Sequence, residues 1–179
     1  MKLNRKWLNE EFVDLSNVSD KEFVETLTVF GQKVETWERL DAEIKNVVVG
    51  KVLSMVRHPN SDHMWICQVD VGGDAPVQIV TGAQNVHEGD LVPAALHNSW
   101  LPGGVHITKG KLRGEVSGGM LCSFAELGLT QNDLPGVFAD GIWILNDEDC
   151  TVGEDINLVI GNDDTVVTGA TNNKPEIKN

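Results

Sequence analysis

Lys109-Gly-Lys111-Leu-Arg113 sets three cations at two-residue spacing, and these are the residues of the chain most suited to chemistry. On an extended strand, side chains at i, i+2 and i+4 stand on one face, so the spacing predicts a row of three positive charges with Leu112 turned inward. Gly110 leaves the opposite face open. Such a row suits phosphate oxygens, and it would serve equally as the charged edge that deters pairing with another strand. The pattern alone leaves both readings open. Three phosphate contacts would give a salt slope of only about −2 on a single strand, so a binder of this kind needs aromatic platforms as well. The chain has no Tyr, and its central region offers Trp65, Trp100, Phe124, Phe138 and Trp143. Trp65 and Trp143 lie in apolar runs and are expected in the core, whereas Trp100, between Ser99 and Leu101-Pro102, is the ring expected to reach a ligand.

Other constellations fail on spacing. His58, His63 and Cys67 are near one another, but neither a Cys-x-x-Cys pair nor a His-x-x-x-His pair is present, so no metal site is expected and the two histidines read as turn residues. Between Gly104 and Gly110 lie five residues where a phosphate-binding loop has four, and Leu112 stands where the magnesium-holding Ser or Thr belongs. Asp62 and His63 are adjacent and would point apart on a strand, and no nucleophile accompanies them. No catalytic residue is expected.

The chain has 179 residues, 41% apolar and 23% charged, with 27 acids against 14 bases and a net charge of −13. That field repels polyanions as a whole, yet it is unevenly distributed. Ile44–Gly119 holds six acids and six bases, leaving 21 acids and eight bases in the flanks. Three cysteines, an odd number, read as reduced thiols. The first fifteen residues are too charged for a signal peptide and no run is long enough to span a membrane, so a cytoplasmic, soluble protein is expected.

Positioning elements follow from periodicity and turn residues. Trp7, Leu8, Phe12 and Leu15 behind Asn4, and Phe23, Val24, Leu27 and Phe30 behind Ser19, predict two helices. The second has the capping box Ser19-Asp-Lys-Glu22 and a terminating Gly31. Fourteen of the 18 glycines then fall between Ile44 and Asn146. β-type runs appear there at Val47–Val56, Met64–Val71, Val77–Thr81, Val92–Leu96, Val105–Arg113 and Ile142–Leu145, with one short helix at Ser123–Gly128. This predicts a mainly β protein with flanking helices, α+β, in which a five-stranded OB-fold barrel is inserted in a small discontinuous α+β domain. Thr151–Ile160 is expected to supply that small domain with a strand. Residues 168–179 are nearly devoid of apolar side chains and are expected to be a mobile tail.

Three stretches carry a resemblance: HPNSDHMWICQVDVG (58–72), IVTGAQNVHEGDLVPAAL (79–96) and LPGGVHITKGKLRGEVSGGMLCSFAELGL (101–129). They resemble the tRNA-binding OB domain of bacterial phenylalanyl-tRNA synthetase β subunits and of free-standing tRNA-binding proteins. The opening MKLNRKWLNEEFVDL and TLTVFGQKVE (26–35) are similar to the synthetase β subunit in particular. The resemblance implies an amino-terminal part of a longer subunit, with the small domain at 1–39 plus 150–167 and the OB domain at 40–149. It implies no catalytic site and no cofactor in this part. ATP and magnesium belong to the parent ligase, which acts on phenylalanine-specific tRNA as an α2β2 assembly with the synthetase α subunit. The implied function is a noncatalytic tRNA-binding and scaffold module supporting aminoacylation in translation. The alternative is a purely structural module that packs within its own subunit. RNA contacts are expected at the HPNSD turn (58–62), at Lys109, Lys111, Arg113, Lys51 and Arg57, at Trp100, and at Ser117 and Met120 of the Ser-Gly-Gly-Met turn.

Overall fold

In the computed structural model, residues 2–31, 34–137 and 140–169 are described. The chain divides into two units, Met1–Ala42 with Asn162–Asn179, and Glu43–Gly161.

In the first unit, β1 (Lys2–Asn4) leads into α1 (Arg5–Glu11), α2 (Asp20–Val29) and β2 (Val34–Arg39), and the chain returns as β11 (Thr165–Gly169). The antiparallel order is β1-β11-β2. Both helices start as their sequences dictate. Asn4 Oδ1 accepts the Trp7 amide at 2.9 Å, and Ser19 and Glu22 form the reciprocal box. Gly31 follows α2 at φ 90°.

The second unit is built on β3 (Lys45–Arg57), with β4 (Trp65–Asp70) and β5 (Val77–Thr81) on one side. On its other side lies β6 (Leu91–Leu101), which also pairs β7 (Val105–Ile107) and β10 (Gly119–Leu121). Between them β8 (Gly110–Leu112) and β9 (Glu115–Ser117) form a separate hairpin. The sheet curls until β5 meets the β9–β10 junction. Gly118 N donates to Gln78 O at 2.7 Å, and Val80 N to Ser117 Oγ at 3.0 Å. Closure depends on close approach at Gly119, where a Cβ would stand 2.1 Å from the Ala95 carbonyl oxygen. Val47, Val49, Leu101 and Trp143 fill one side of the interior, and Val52, Val69, Ile79 and Val92 the other. This is an OB-like α+β architecture.

Several elements differ from the sequence reading. Val105–Arg113 is broken at Thr108-Lys109 into two short strands. Ile142–Leu145 is buried but irregular, its amides going to side-chain and backbone acceptors such as Asn85 Oδ1 and Leu91 O. Thr151–Ile160 supplies no strand to the first unit. Its second half is α3 (Ile156–Ile160), capped by Asp155 and ended by Gly161 at φ 80°. Asn157 Nδ2 reaches Ile44 O at 2.9 Å, and Val49 exchanges backbone bonds with Gly153 and Glu154. These bonds tie residues 153–157 to the barrel, and the strand completing the first unit is β11. The expected tail begins inside β11, and residues 170–179 lie outside the described residues.

Candidate nucleic-acid interface

The basic segment is a hairpin rather than a flat strand. In β8–β9 the register is Gly110↔Ser117, Lys111↔Val116 and Leu112↔Glu115. The two connecting residues, Arg113 and Gly114, have φ of 49° and 94°. Two consecutive left-handed residues make the tight turn whose twist matches antiparallel strands. Arg113 therefore leaves the row: the expected single face holding Lys109, Lys111 and Arg113 does not form. Lys111 is on the strand, Lys109 precedes it with its amide on His97 Nδ1 at 2.9 Å, and Arg113 sits at the tip. Leu112, expected to face inward, is 43% exposed because so short a hairpin has no interior of its own.

The tip is held by the 58–62 turn. His58 is 3% exposed. Its Nδ1 accepts the Asn60 amide at 3.0 Å, which leaves Nε2 as the protonated nitrogen, donating to Leu112 O at 2.9 Å. Asn60 Nδ2 donates to Arg113 O, and Arg113 Nη1 donates back to Asn60 O, both at 3.2 Å. Two stretches fifty residues apart thus form one surface. The resemblance places the HPNSD turn among the RNA-contacting surfaces, and its residues taken alone read as a turn; that His58 and Asn60 hold the hairpin tip is new, since nothing local marks a bond to so distant a residue.

Arg57 joins this surface, its Cζ 3.8 Å from the Trp65 ring centroid and its Nη1 donating to Asp62 O at 3.2 Å. Trp65 is only half-buried, so its expected place in the core is corrected: one face packs inward and the other carries the guanidinium. Trp143 is in the core. Lys51 stands apart, six residues along β3 from Arg57, about 20 Å at strand rise, and faces Asp70 across β4. Ser117 is 5% exposed. Its hydroxyl accepts from Val80 N and donates to Gly119 O at 2.8 Å, so it closes the barrel and is not presented to a ligand. Met120 on β10 is half-buried and packs against the core. Trp100 is exposed on β6 and stacks on His106 of β7, with centroids 4.3 Å apart and planes 11° apart. Phe124 is buried, and Phe138 lies outside the described residues.

Burial pushes the Cys67 thiol up to about 11, and burial with Glu126 pushes Cys122 up to about 12, so both are poor nucleophiles. Among the described residues, no three of His, Cys, Asp and Glu gather as a metal site. No described helix is long and apolar enough to cross a membrane.

Comparison with known proteins shows the family. Residues 47–140 match the family model described as a putative tRNA-binding domain. The phenylalanine–tRNA ligase beta subunit of Clostridium acetobutylicum is 47% identical over 177 residues, 98% of this chain and 22% of that protein. Those of Clostridium tetani and Geobacillus kaustophilus are each 42% identical, over 98% and 93% of the chain and 21% and 20% of their own lengths. The chain spans about a fifth of the relatives it matches. It belongs to the putative tRNA-binding domain family and is homologous to the phenylalanine–tRNA ligase beta subunits.

Proposed function

We propose that the chain is a noncatalytic tRNA-binding and scaffold module of a phenylalanine–tRNA ligase β subunit. The observation that carries this reading is the docked hairpin: Lys111 and Arg113 are exposed and held on the 58–62 turn beside Arg57, inside the matched segment. Lys109, Lys111, Arg113 and Arg57 neutralise backbone phosphates, with Lys51 a more distant contact and Trp100 a ring for stacking. Phosphate contacts carry no base code, so selection rests on the shape of the RNA. In the whole enzyme the module serves phenylalanine-specific tRNA within an α2β2 assembly in the cytoplasm. ATP and magnesium act there at sites to which this chain supplies no residue.

The packing role has its own support in the first unit. Val29 and Phe30 are 81% and 82% exposed, and they line a shallow groove with Glu22, Glu25 and Thr26. Such apolar exposure marks a surface for protein. The two roles therefore fall on different units, RNA on the barrel and subunit packing on the helices.

A titration with tRNA across 50–200 mM salt, repeated with the Lys109→Ala, Lys111→Ala, Arg113→Ala triple variant, tests the RNA role. The four close contacts, Lys109, Lys111, Arg113 and Arg57, give a log–log slope of about −3 to −4. The triple variant loses about −2 to −3 of that slope, keeping Arg57's share, and loses most of the binding. A folded protein that shows no salt-dependent binding refutes RNA recognition and leaves packing alone.

A further inference from the structure

Lys45, Trp100 and His106 occupy directly opposed positions on three adjacent strands, with Lys45↔Trp100 across β3–β6 and Trp100↔His106 across β6–β7. Opposed residues of an antiparallel ladder share a face. Here it is the outer face, because Ser99 and Leu101, flanking Trp100, are buried while all three members of the row are exposed. The imidazole covers one side of the indole in a near-parallel stack. Even so, Trp100 is 41% exposed, which leaves much of its ring open to solvent.

The electrostatic setting is unusual for this chain. From Leu91 to Gly114, 24 residues that include β6, β7 and β8, there is no Asp or Glu, although the chain has 27. The same stretch holds Lys109, Lys111, Arg113, His97 and His106. Lys109 is tied through its amide to His97 of β6, three residues before Trp100 in the bulged segment that separates the Ala95 and Trp100 pairings with β3. The nearest acids in sequence to the row are Glu43, Asp90 and Glu115.

We infer that the Trp100–His106 stack is a platform for one unpaired nucleobase of RNA, with Lys45 and Lys109 neutralising the flanking phosphates. This rests on the RNA-binding reading above and deepens it by naming the part of the RNA engaged. Bases within a helix are stacked on their neighbours and offer no face to an indole, whereas a loop or a single-stranded end does. Any base has a π-face, so the platform tolerates sequence. Backbone contacts at the hairpin and a stacked base at the platform together select RNA in which a helix adjoins an unpaired segment. The stack of Trp100 on His106 also braces the β6–β7 hairpin, but bracing does not need an open indole in an acid-free stretch.

The test uses the full chain with three RNA probes: tRNA, hexaadenylate as an unpaired segment, and a blunt RNA duplex. Trp100→Ala is expected to weaken hexaadenylate and tRNA binding about 5- to 100-fold. Its salt slope stays at the wild-type value, since no charge is removed. Trp100→Phe stays within about threefold of wild type, and duplex binding is unaffected by either change. In the wild-type protein, the Trp100 indole N–H resonance shifts on adding hexaadenylate but not the duplex, which decides the matter should Trp100→Ala unfold. Wild-type binding of tRNA with equal affinity in a folded Trp100→Ala variant, or with an unmoved indole resonance, overturns the platform and leaves the basic surface standing. Failure of the wild-type protein to bind any probe overturns both.

Discussion

Replacing His58 by Ala separates position from charge at the basic surface. The substitution removes no cation. It deletes two hydrogen bonds, Nε2–H to Leu112 O at 2.9 Å and the Asn60 amide to Nδ1 at 3.0 Å. Each is worth about 1 kcal/mol net, and because Leu112 and Asn60 are exposed, water takes over the freed backbone groups. The Nε2 bond crosses to the hairpin tip and the Nδ1 bond fixes the turn that receives it, so docking should lose at most about 2 kcal/mol. The Asn60–Arg113 pair, with both bonds at 3.2 Å, remains as the weaker tether. An affinity that depends on a docked tip falls in proportion to the docked fraction, so the bound set by about 2 kcal/mol is about 30-fold. We expect a 3- to 30-fold rise in the Kd for tRNA with an unchanged salt slope, because Lys109, Lys111 and Arg113 still reach phosphate when the tip visits its docked position. Lys111→Ala provides the contrast, reducing the slope by about 0.7 to 0.9. Fluorescence anisotropy at several salt concentrations, with a melting curve for each variant, reads both quantities. An unchanged Kd for a folded His58→Ala protein with the stability loss in place would refute the claim that docking positions the cations. A shallower slope would refute the separation of position from charge.

Two further predictions concern stability. At Asp20, burial opposes ionisation, but the Thr165 hydroxyl, Arg5 and Arg39 outweigh it and hold the carboxyl below its usual value. A depressed folded-state value contributes stability above about pH 4, where the unfolded Asp is also ionised, and that stability is lost as pH falls through the folded value. Asp20→Asn should therefore cost the first unit about 1–3 kcal/mol at pH 7, a cost that shrinks as pH falls through the folded value. The indole resonances of Trp7 and Trp37 during thermal unfolding report it, and a loss that does not shrink with falling pH contradicts the assignment. Gly119→Ala should cost about 3 kcal/mol or more, because its Cβ would meet backbone at 2.1 Å that cannot move without opening β10 from β6. Gly110→Ala meets nothing within 4 Å and should change stability by less than about 0.5 kcal/mol, so equal melting temperatures for the two variants would contradict the closure geometry.

What could be read from the sequence was local. Ser19-Asp-Lys-Glu22 forms its capping box because both partners lie within one turn. The glycine-rich centre folds into antiparallel strands that end where glycines take positive φ, as at Gly72 after β4 and Gly103-Gly104 after β6. Arg113-Gly114 shows where a correct local signal was outweighed by a competing one. Lys109, Lys111 and Arg113 alternate as a strand would, yet an X-Gly pair between two short β runs is itself a hairpin signal, and the hairpin prevails. The apolar run Ile156–Ile160 fits strand and helix equally by pattern. Asp155 accepting the Asn157 amide and Gly161 at the carboxyl end settle it as a helix. His58 and Asn60 were illegible as holders of the basic tip because their partners lie more than fifty residues away, and no periodicity encodes such a pairing. The family resemblance located both stretches, but only the geometry shows that they touch.

The net charge of −13 conflicts with RNA recognition only if charge acts as an average. Screening at physiological salt has a length of about 8 Å, so a phosphate at the hairpin tip responds chiefly to the charges beside it, Lys111, Arg113 and Arg57, opposed by Glu115 on β9 and Asp62 of the turn. Charges beyond that length, among the chain's 27 acids, are screened, while the acid-free run Leu91–Gly114 contributes only cations and neutral groups. At 10 mM salt the screening length grows to about 30 Å and the acids enter the field. Counterion release strengthens binding as salt falls, and long-range repulsion weakens it, so the two effects oppose each other at the low-salt end. The log–log plot for tRNA should follow the contact number above about 50 mM and flatten below it. On the proposed reading, such a charge layout disfavours loose electrostatic association and favours RNA that brings its backbone against the docked tip.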